Sequence, residues 1–122
     1  MISVINTSRR PEKYLKLIES LEEQAGELID NYICFINNPD VVDDYKEIKK
    51  NFDKVKVIVG EPNFIYKKGF DGAYNMLHRL NKSKFNLILF DSDEVTIDSE
   101  KLLNDLKKDA DVYGFPVYME RG

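Results

Sequence analysis

The sequence predicts an α/β protein built on a mainly parallel sheet of about five strands with helices on both faces. Three observations carry this expectation. Short β-rich runs at residues 2–5, 32–36, 55–59, 87–90 and 112–118 alternate with segments whose apolar residues recur at helical spacing. The run Leu87-Ile88-Leu89-Phe90 has no polar alternation, which suits a strand buried on both faces. The first, second and fourth runs stop in polar stretches suited to loops, Asn6-Thr7-Ser8, Asn37-Asn38 and Asp91-Ser92-Asp93, and in a parallel sheet these loops share one end.

In chain order, Ile2-Ser3-Val4-Ile5 opens as a strand that gives way to the loop Asn6-Thr7-Ser8, and Pro11 stands where the first turn of a helix tolerates it. Tyr14, Leu17, Ile18, Leu21 and Ala25 keep helical spacing, and Gly26 offers the stop. Residues 32–36 are too short an apolar run for anything but a strand, and Asn37-Asn38-Pro39-Asp40 is turn chemistry. Asp40 is placed to cap a short helix carrying Val41, Val42, Tyr45, Ile48 and Phe52.

The third strand, 55–59, is closed by Gly60 and Pro62. A long connection over 60–69 leads to a third helix marked by Ala73, Met76, Leu77 and Leu80, with Gly69 and Gly72 freeing its entrance. Lys67 and Lys68 beside that entrance suit an anion, although two lysines in a loop are more often simply solvated. After the fourth strand, Asp98 or Ser99 caps a helix with Leu102, Leu103 and Leu106. Residues 112–118 form a fifth strand, where Pro116 implies an edge or irregular position.

The composition bounds what this fold does. At 122 residues the chain has room for one domain, 1–122, and no repeat or Gly/Ser linker divides it. A net charge of −4 offers no global basic field for nucleic acid or an anionic membrane. No apolar run reaches the ~20 residues of a membrane span, and no signal peptide opens the chain, so a cytoplasmic protein is expected. Cys34 is the only cysteine and lies within an apolar strand, which excludes an internal disulfide and reads as a buried structural thiol. His78, the only histidine, reads as a packing or solvent-facing residue of a helix.

The candidate site centres on Asp91-Ser92-Asp93-Glu94. Two aspartates two residues apart on an extended segment point the same way and together suit a hard cation such as Mn2+ or Mg2+. The same pattern at Asp109-Ala110-Asp111 falls between a helix and a strand and reads as a solvated connection.

Four segments in order then resemble the nucleotide-sugar-binding, N-terminal part of a GT-A glycosyltransferase of the inverting family two, with its Rossmann-like sheet. They are Ile5-Asn6-Thr7-Ser8-Arg9-Arg10-Pro11, Asn37-Asn38, Gly69-Phe70-Asp71-Gly72-Ala73-Tyr74-Asn75 and Phe90-Asp91-Ser92-Asp93-Glu94. The resemblance implies a metal-dependent sugar transfer from a nucleotide-diphospho-sugar donor to a carbohydrate or other hydroxyl acceptor. Asp93 would hold the metal, with Asp91 as a ribose-side or water-mediated partner. Thr7, Ser8, Asn37, Asn38, Lys68, Asp71, Asn75, Asp91 and Ser92 would line the donor site.

The chain also departs from that pattern. Asn37 stands where an acid commonly meets the base, and Tyr74 where an arginine is common, leaving Lys67 or Lys68 for the phosphates. The family's acceptor half and its catalytic base lie beyond the point where this sequence stops, and Glu120 is a weak stand-in that reads better as a surface residue. A noncatalytic nucleotide or nucleotide-sugar module acting with a partner is therefore the alternative. Self-association into a homo-oligomer stays open. A receiver domain would need acids after the first strand, and a metal-dependent phosphotransfer or strand-cleavage fold would need one after the second. Asn6-Thr7-Ser8 and Asn37-Asn38, at those two strand ends, hold none.

Overall fold

The computed structural model describes residues 1–81, 83–91 and 94–107. Strands β1 (Ile2–Ser8), β2 (Ile29–Ile36), β3 (Val55–Val59) and β4 (Phe85–Phe90) alternate with helices α1 (Pro11–Ala25), α2 (Val42–Asn51), α3 (Phe64–Leu80) and α4 (Ser99–Leu106). Every ladder is parallel, and the strand order is β3-β2-β1-β4. Among the described residues the sheet thus has four strands. The run at 112–118, expected as a fifth, lies outside them.

Strand order and side-chain alternation together explain the two cores. The chain steps outward from β1 to β2 to β3 and then jumps back past β1 to β4, and crossovers of one hand then place the returning helix on the opposite face. One core gathers Tyr14, Leu17, Ile18 and Leu21 of α1 and Tyr45 and Ile48 of α2 over Val4, Tyr32, Cys34, Ile36 and Leu89. The other sets Ala73 and Leu77 of α3 against Ile5, Ile33 and Phe35. Alternate residues of β1 and β2 feed opposite cores, as period two requires.

Several boundaries differ from those expected, each for a visible reason. Asn6-Thr7-Ser8 is strand, not loop: Thr7 pairs with Phe35 and Phe90, and Ser8 with Ile36. Polar side chains are tolerated there because neighbouring elements supply their partners. At the start of β2 the polar pair Asp30-Asn31 is also strand, extending it back to Ile29. Asp40 does not cap α2 with its side chain; instead Asn38 Oδ1 accepts from Asp40 N at 3.0 Å and opens a short 3-10 turn, Pro39–Val41, ahead of the helix. Asp98 does cap α4, accepting from Lys101 N at 3.1 Å.

The connection expected over 60–69 is partly helical, since α3 begins at Phe64 and is broken at Gly69, whose φ of 71° and ψ of 175° lie outside helical space. Such a conformation is open almost only to glycine. We expect Gly69→Ala to cost about 1–3 kcal/mol by urea unfolding, and a loss below about 0.5 kcal/mol would show that the break relaxes without it. A second glycine is required by close approach. A Cβ on Gly60 would stand 2.3 Å from the Phe35 ring, which packs at 5.0 Å on Phe64.

Candidate functional site

The switch in strand order lies between β1 and β4. At such a switch the connections leave on opposite sides, opening a crevice at the carboxyl ends of the strands. Thr7, Arg9, Arg10, Lys13, Phe70, Phe90 and Asp91 line a cleft of about 310 Å³ there.

Asp91, one residue past β4, reaches across this gap. Its Oδ2 accepts from Ser8 Oγ at 2.6 Å, Arg9 N at 2.9 Å and Arg10 N at 3.1 Å, and its Oδ1 accepts from Asn6 Nδ2 at 3.0 Å. The reason lies in the start of α1. Arg10 provides no side-chain cap, and Pro11 has no N–H to offer, so the amides just ahead of the helix need an acceptor from elsewhere. A carboxylate there also favours the positive end of the helix. Ser8 Oγ passes the network inward to the Tyr45 hydroxyl. Beyond it lie Tyr14 and Cys34, where burial pushes the phenol and the thiol well above their ordinary pKa values.

A second bridge runs beside the first. The Tyr74 hydroxyl donates to Leu89 O at 3.0 Å and accepts from Thr7 N at 3.3 Å, so it too joins β1 to β4. Phe90 stands edge-on to both Phe70, at 5.9 Å, and Tyr74, at 5.8 Å. Phe70 and Phe90 remain 48% and 45% exposed, so this aromatic wall is accessible from the cleft.

The residues expected at the site fare unequally. Thr7 and Asp91 line the cleft. Ser8 is buried, with its hydroxyl spent on Asp91 and Tyr45. Asn38 is committed to its turn. Asn37 donates from Nδ2 to Pro62 O at 2.8 Å, while its Oδ1 is buried without a partner among the described residues. An acceptor thus remains at the end of β2, although Asn37 does not line the cleft. Lys68 and Asp71 are exposed and do not line it either. Asn75 instead borders a separate depression with Gly72, Met76, Arg79 and Leu80. Ser92, Asp93 and Glu120 lie outside the described residues.

The cations of the cleft, Arg9, Arg10 and Lys13, were missed in the sequence, as were its rings, Phe70 and Phe90. The signal was present in Arg9-Arg10-Pro11, but exposed cations at a helix start look the same in sequence whether solvated or convergent. Also missed was Gln24, whose side chain accepts from Ile97 N and donates to Val95 O, both at 2.7 Å, tying the chain that leaves Asp91 alongside α1.

His78 and Cys34 behave as the sequence suggested. His78 Nδ1 lies 2.6 Å from Asn86 Nδ2, at the opposite end of the sheet, where Ser3, Asn31, Asn81 and Ser83 form a polar cluster. Cys34 is wholly buried.

Whether the acidic strand end fits a cation can be judged from Asp91. Three donors saturate Oδ2, and one lone pair on Oδ1 is left, so Asp91 does not fit as the principal seat of a metal. Among the described residues no group of three or more His, Cys, Asp or Glu side chains converges as metal ligands would. No helix among them is long and apolar enough to cross a membrane. Comparison with family models, with curated proteins and with solved structures finds no match to this chain.

Proposed function

We propose that the chain binds a nucleotide-diphospho-sugar across the carboxyl ends of β2, β1 and β4 and serves as the donor-binding part of a GT-A-type glycosyltransferase. The observation that carries this reading is the cleft at the β1/β4 switch in strand order. It combines three cations, a polar strand end and two accessible aromatic rings. A diphosphate needs the first, and the flat faces of a base or sugar ring suit the last. The unpartnered Oδ1 of Asn37 supports a base that presents an N–H at the end of β2.

In this reading Asp93 would hold Mn2+ or Mg2+, which would supply Lewis-acid help to the departing nucleoside diphosphate. Asp91 acts beneath the donor by fixing the Ser8–Arg10 turn. The same donor site serves a noncatalytic module equally well, and turnover separates the two. The protein is read as cytoplasmic, with a fifth strand at 112–118.

The test is a thermal-shift panel of UDP-, GDP- and dTDP-sugars with and without Mn2+ or Mg2+, on wild type and Asp93→Ala. A donor at ~100 times its dissociation constant adds ~2.7 kcal/mol of stability to the wild type. The variant is expected to lose the metal-dependent part. If no nucleotide sugar stabilises the wild type, the donor reading is wrong. Release of nucleoside diphosphate with acceptor sugars present marks an enzyme, and binding without release marks a module.

A further inference from the structure

We infer that the diphosphate of the ligand is held by Arg9, Arg10 and Lys13, so that nucleoside diphosphates bind this cleft without a metal ion. The inference rests on the donor reading for the identity of the ligand, but its physical basis is separate. The chain carries a net charge of −4, yet three cations and a single carboxylate line this cleft.

That carboxylate, Asp91, spreads its charge over four donors, whereas the side chains of Arg9, Arg10 and Lys13 make no ion pair among the described residues. Three cations without an ion pair among the described residues, around one concavity, are repelled by one another and relieved by an anion.

The other candidate cations are elsewhere. Lys67 and Lys68 do not line the cleft, and Tyr74, where an arginine was the alternative, is occupied by Thr7 and Leu89. The amides ahead of α1 are also taken, because Arg9 N and Arg10 N already donate to Asp91. An anion entering the cleft is therefore met by side chains. Two guanidinium groups give paired donors to phosphate oxygens, and the ammonium adds a point charge. Asp91 acts as a positioning residue for this arrangement, since its bonds to the two arginine amides fix where those side chains begin.

The experiment is calorimetric titration of UDP, GDP, dTDP and inorganic pyrophosphate into the whole chain in EDTA, repeated with Mn2+, on wild type and the triple variant R9Q/R10Q/K13Q. At least one nucleoside diphosphate, and pyrophosphate with it, is expected to bind the wild type in EDTA and to weaken as salt is raised. The triple variant is expected to lose about a hundredfold in affinity. Its fold is checked by circular dichroism, and Lys13→Gln alone, expected to lose about tenfold, replaces it if the triple variant does not fold.

Binding in Mn2+ but not in EDTA overturns the inference and leaves the donor reading standing. Equal affinity of wild type and triple variant overturns it as well. Binding of a nucleoside diphosphate and of pyrophosphate in EDTA that disappears in the triple variant, with no response to any nucleotide sugar, upholds the inference and removes the donor reading. Pyrophosphate binding with no nucleoside diphosphate binding overturns the inference.

Discussion

Asp91→Ala is expected to lower stability by about 2–4 kcal/mol in EDTA, measured by equilibrium urea unfolding. The carboxylate takes four hydrogen bonds, and bonds to a charged acceptor are worth about 1.5–3 kcal/mol each when their loss leaves a buried donor unpaired. The four are not equal. Asn6 is fully buried and its amide would be orphaned, Ser8 keeps Tyr45, and the two arginine amides lie where water can replace the carboxylate.

Asp91→Asn, which keeps one carbonyl acceptor, should fall between the variant and the wild type. This result separates two roles that look identical in sequence. A carboxylate whose task is to hold a metal costs little to remove when metal is absent. A loss below about 0.5 kcal/mol would show that Asp91 is not the tie between β4 and α1.

The second large effect is alkaline unfolding. Burial holds the protons of Tyr14, Tyr32, Tyr45 and Cys34 on the folded protein well past their ordinary range, with Glu22 adding to the effect at Tyr32. In the unfolded chain the thiol ionises near pH ~8.5 and the phenols near ~10. Above those values the unfolded state binds fewer protons than the folded one, so stability is fully present below about pH 8.5 and is lost as pH rises towards the raised folded values.

Each group contributes about 1.4 kcal/mol per pH unit, and all four together about 5 kcal/mol per unit above pH ~10, against a typical total of about 5–15 kcal/mol. The melting temperature should therefore drop steeply above pH ~10, and the tyrosinate absorbance of the three buried phenols, beyond that of the exposed Tyr66, should appear together with loss of circular dichroism. Ionisation of Tyr14, Tyr32 or Tyr45, beyond that of the exposed Tyr66, while the fold stays intact would contradict the burial of these phenols.

The legible and illegible parts of this chain divide along a physical line. Periodicity is local, so Tyr14, Leu17, Ile18 and Leu21 declared α1, and Leu87 to Phe90 declared a strand. The expected burial on both faces of that strand is not found, since β4 ends the sheet among the described residues and Ile88 and Phe90 are 56% and 45% exposed. The parallel arrangement of the strands followed from the alternation of elements. Partnerships are not local. Asn6, Thr7 and Ser8 looked like a loop because nothing nearby in sequence told of Asp91 or Tyr74, which make those polar residues tolerable inside a strand.

In the sequence Asp91 reads as a ribose-side or water-mediated partner of the metal site, whereas the structure shows its carboxylate bonded to Asn6, Ser8 and the amides ahead of α1. A strand-end acid that serves a metal and one that serves backbone amides differ only in what lies across the gap. The break at Gly69 was half visible. Its flexibility was anticipated, but the helical turn ahead of it was not, because Phe64 and Ile65 pack on the second core through contacts no local pattern reveals.

The cleft has one further property that follows from strand order. Thr7, Arg9, Arg10 and Lys13 form one wall and Phe70, Phe90 and Asp91 the other, and the side chains of Asp91 and Tyr74 tie β1 to β4 beside them. An occupant touching both walls is a third tie, a removable staple between the first strand and one that the chain makes long afterwards. Its binding energy is then felt along the whole β1–β4 ladder, and amide exchange at Leu87 or Ile88 reports occupancy as faithfully as any group in the cleft itself.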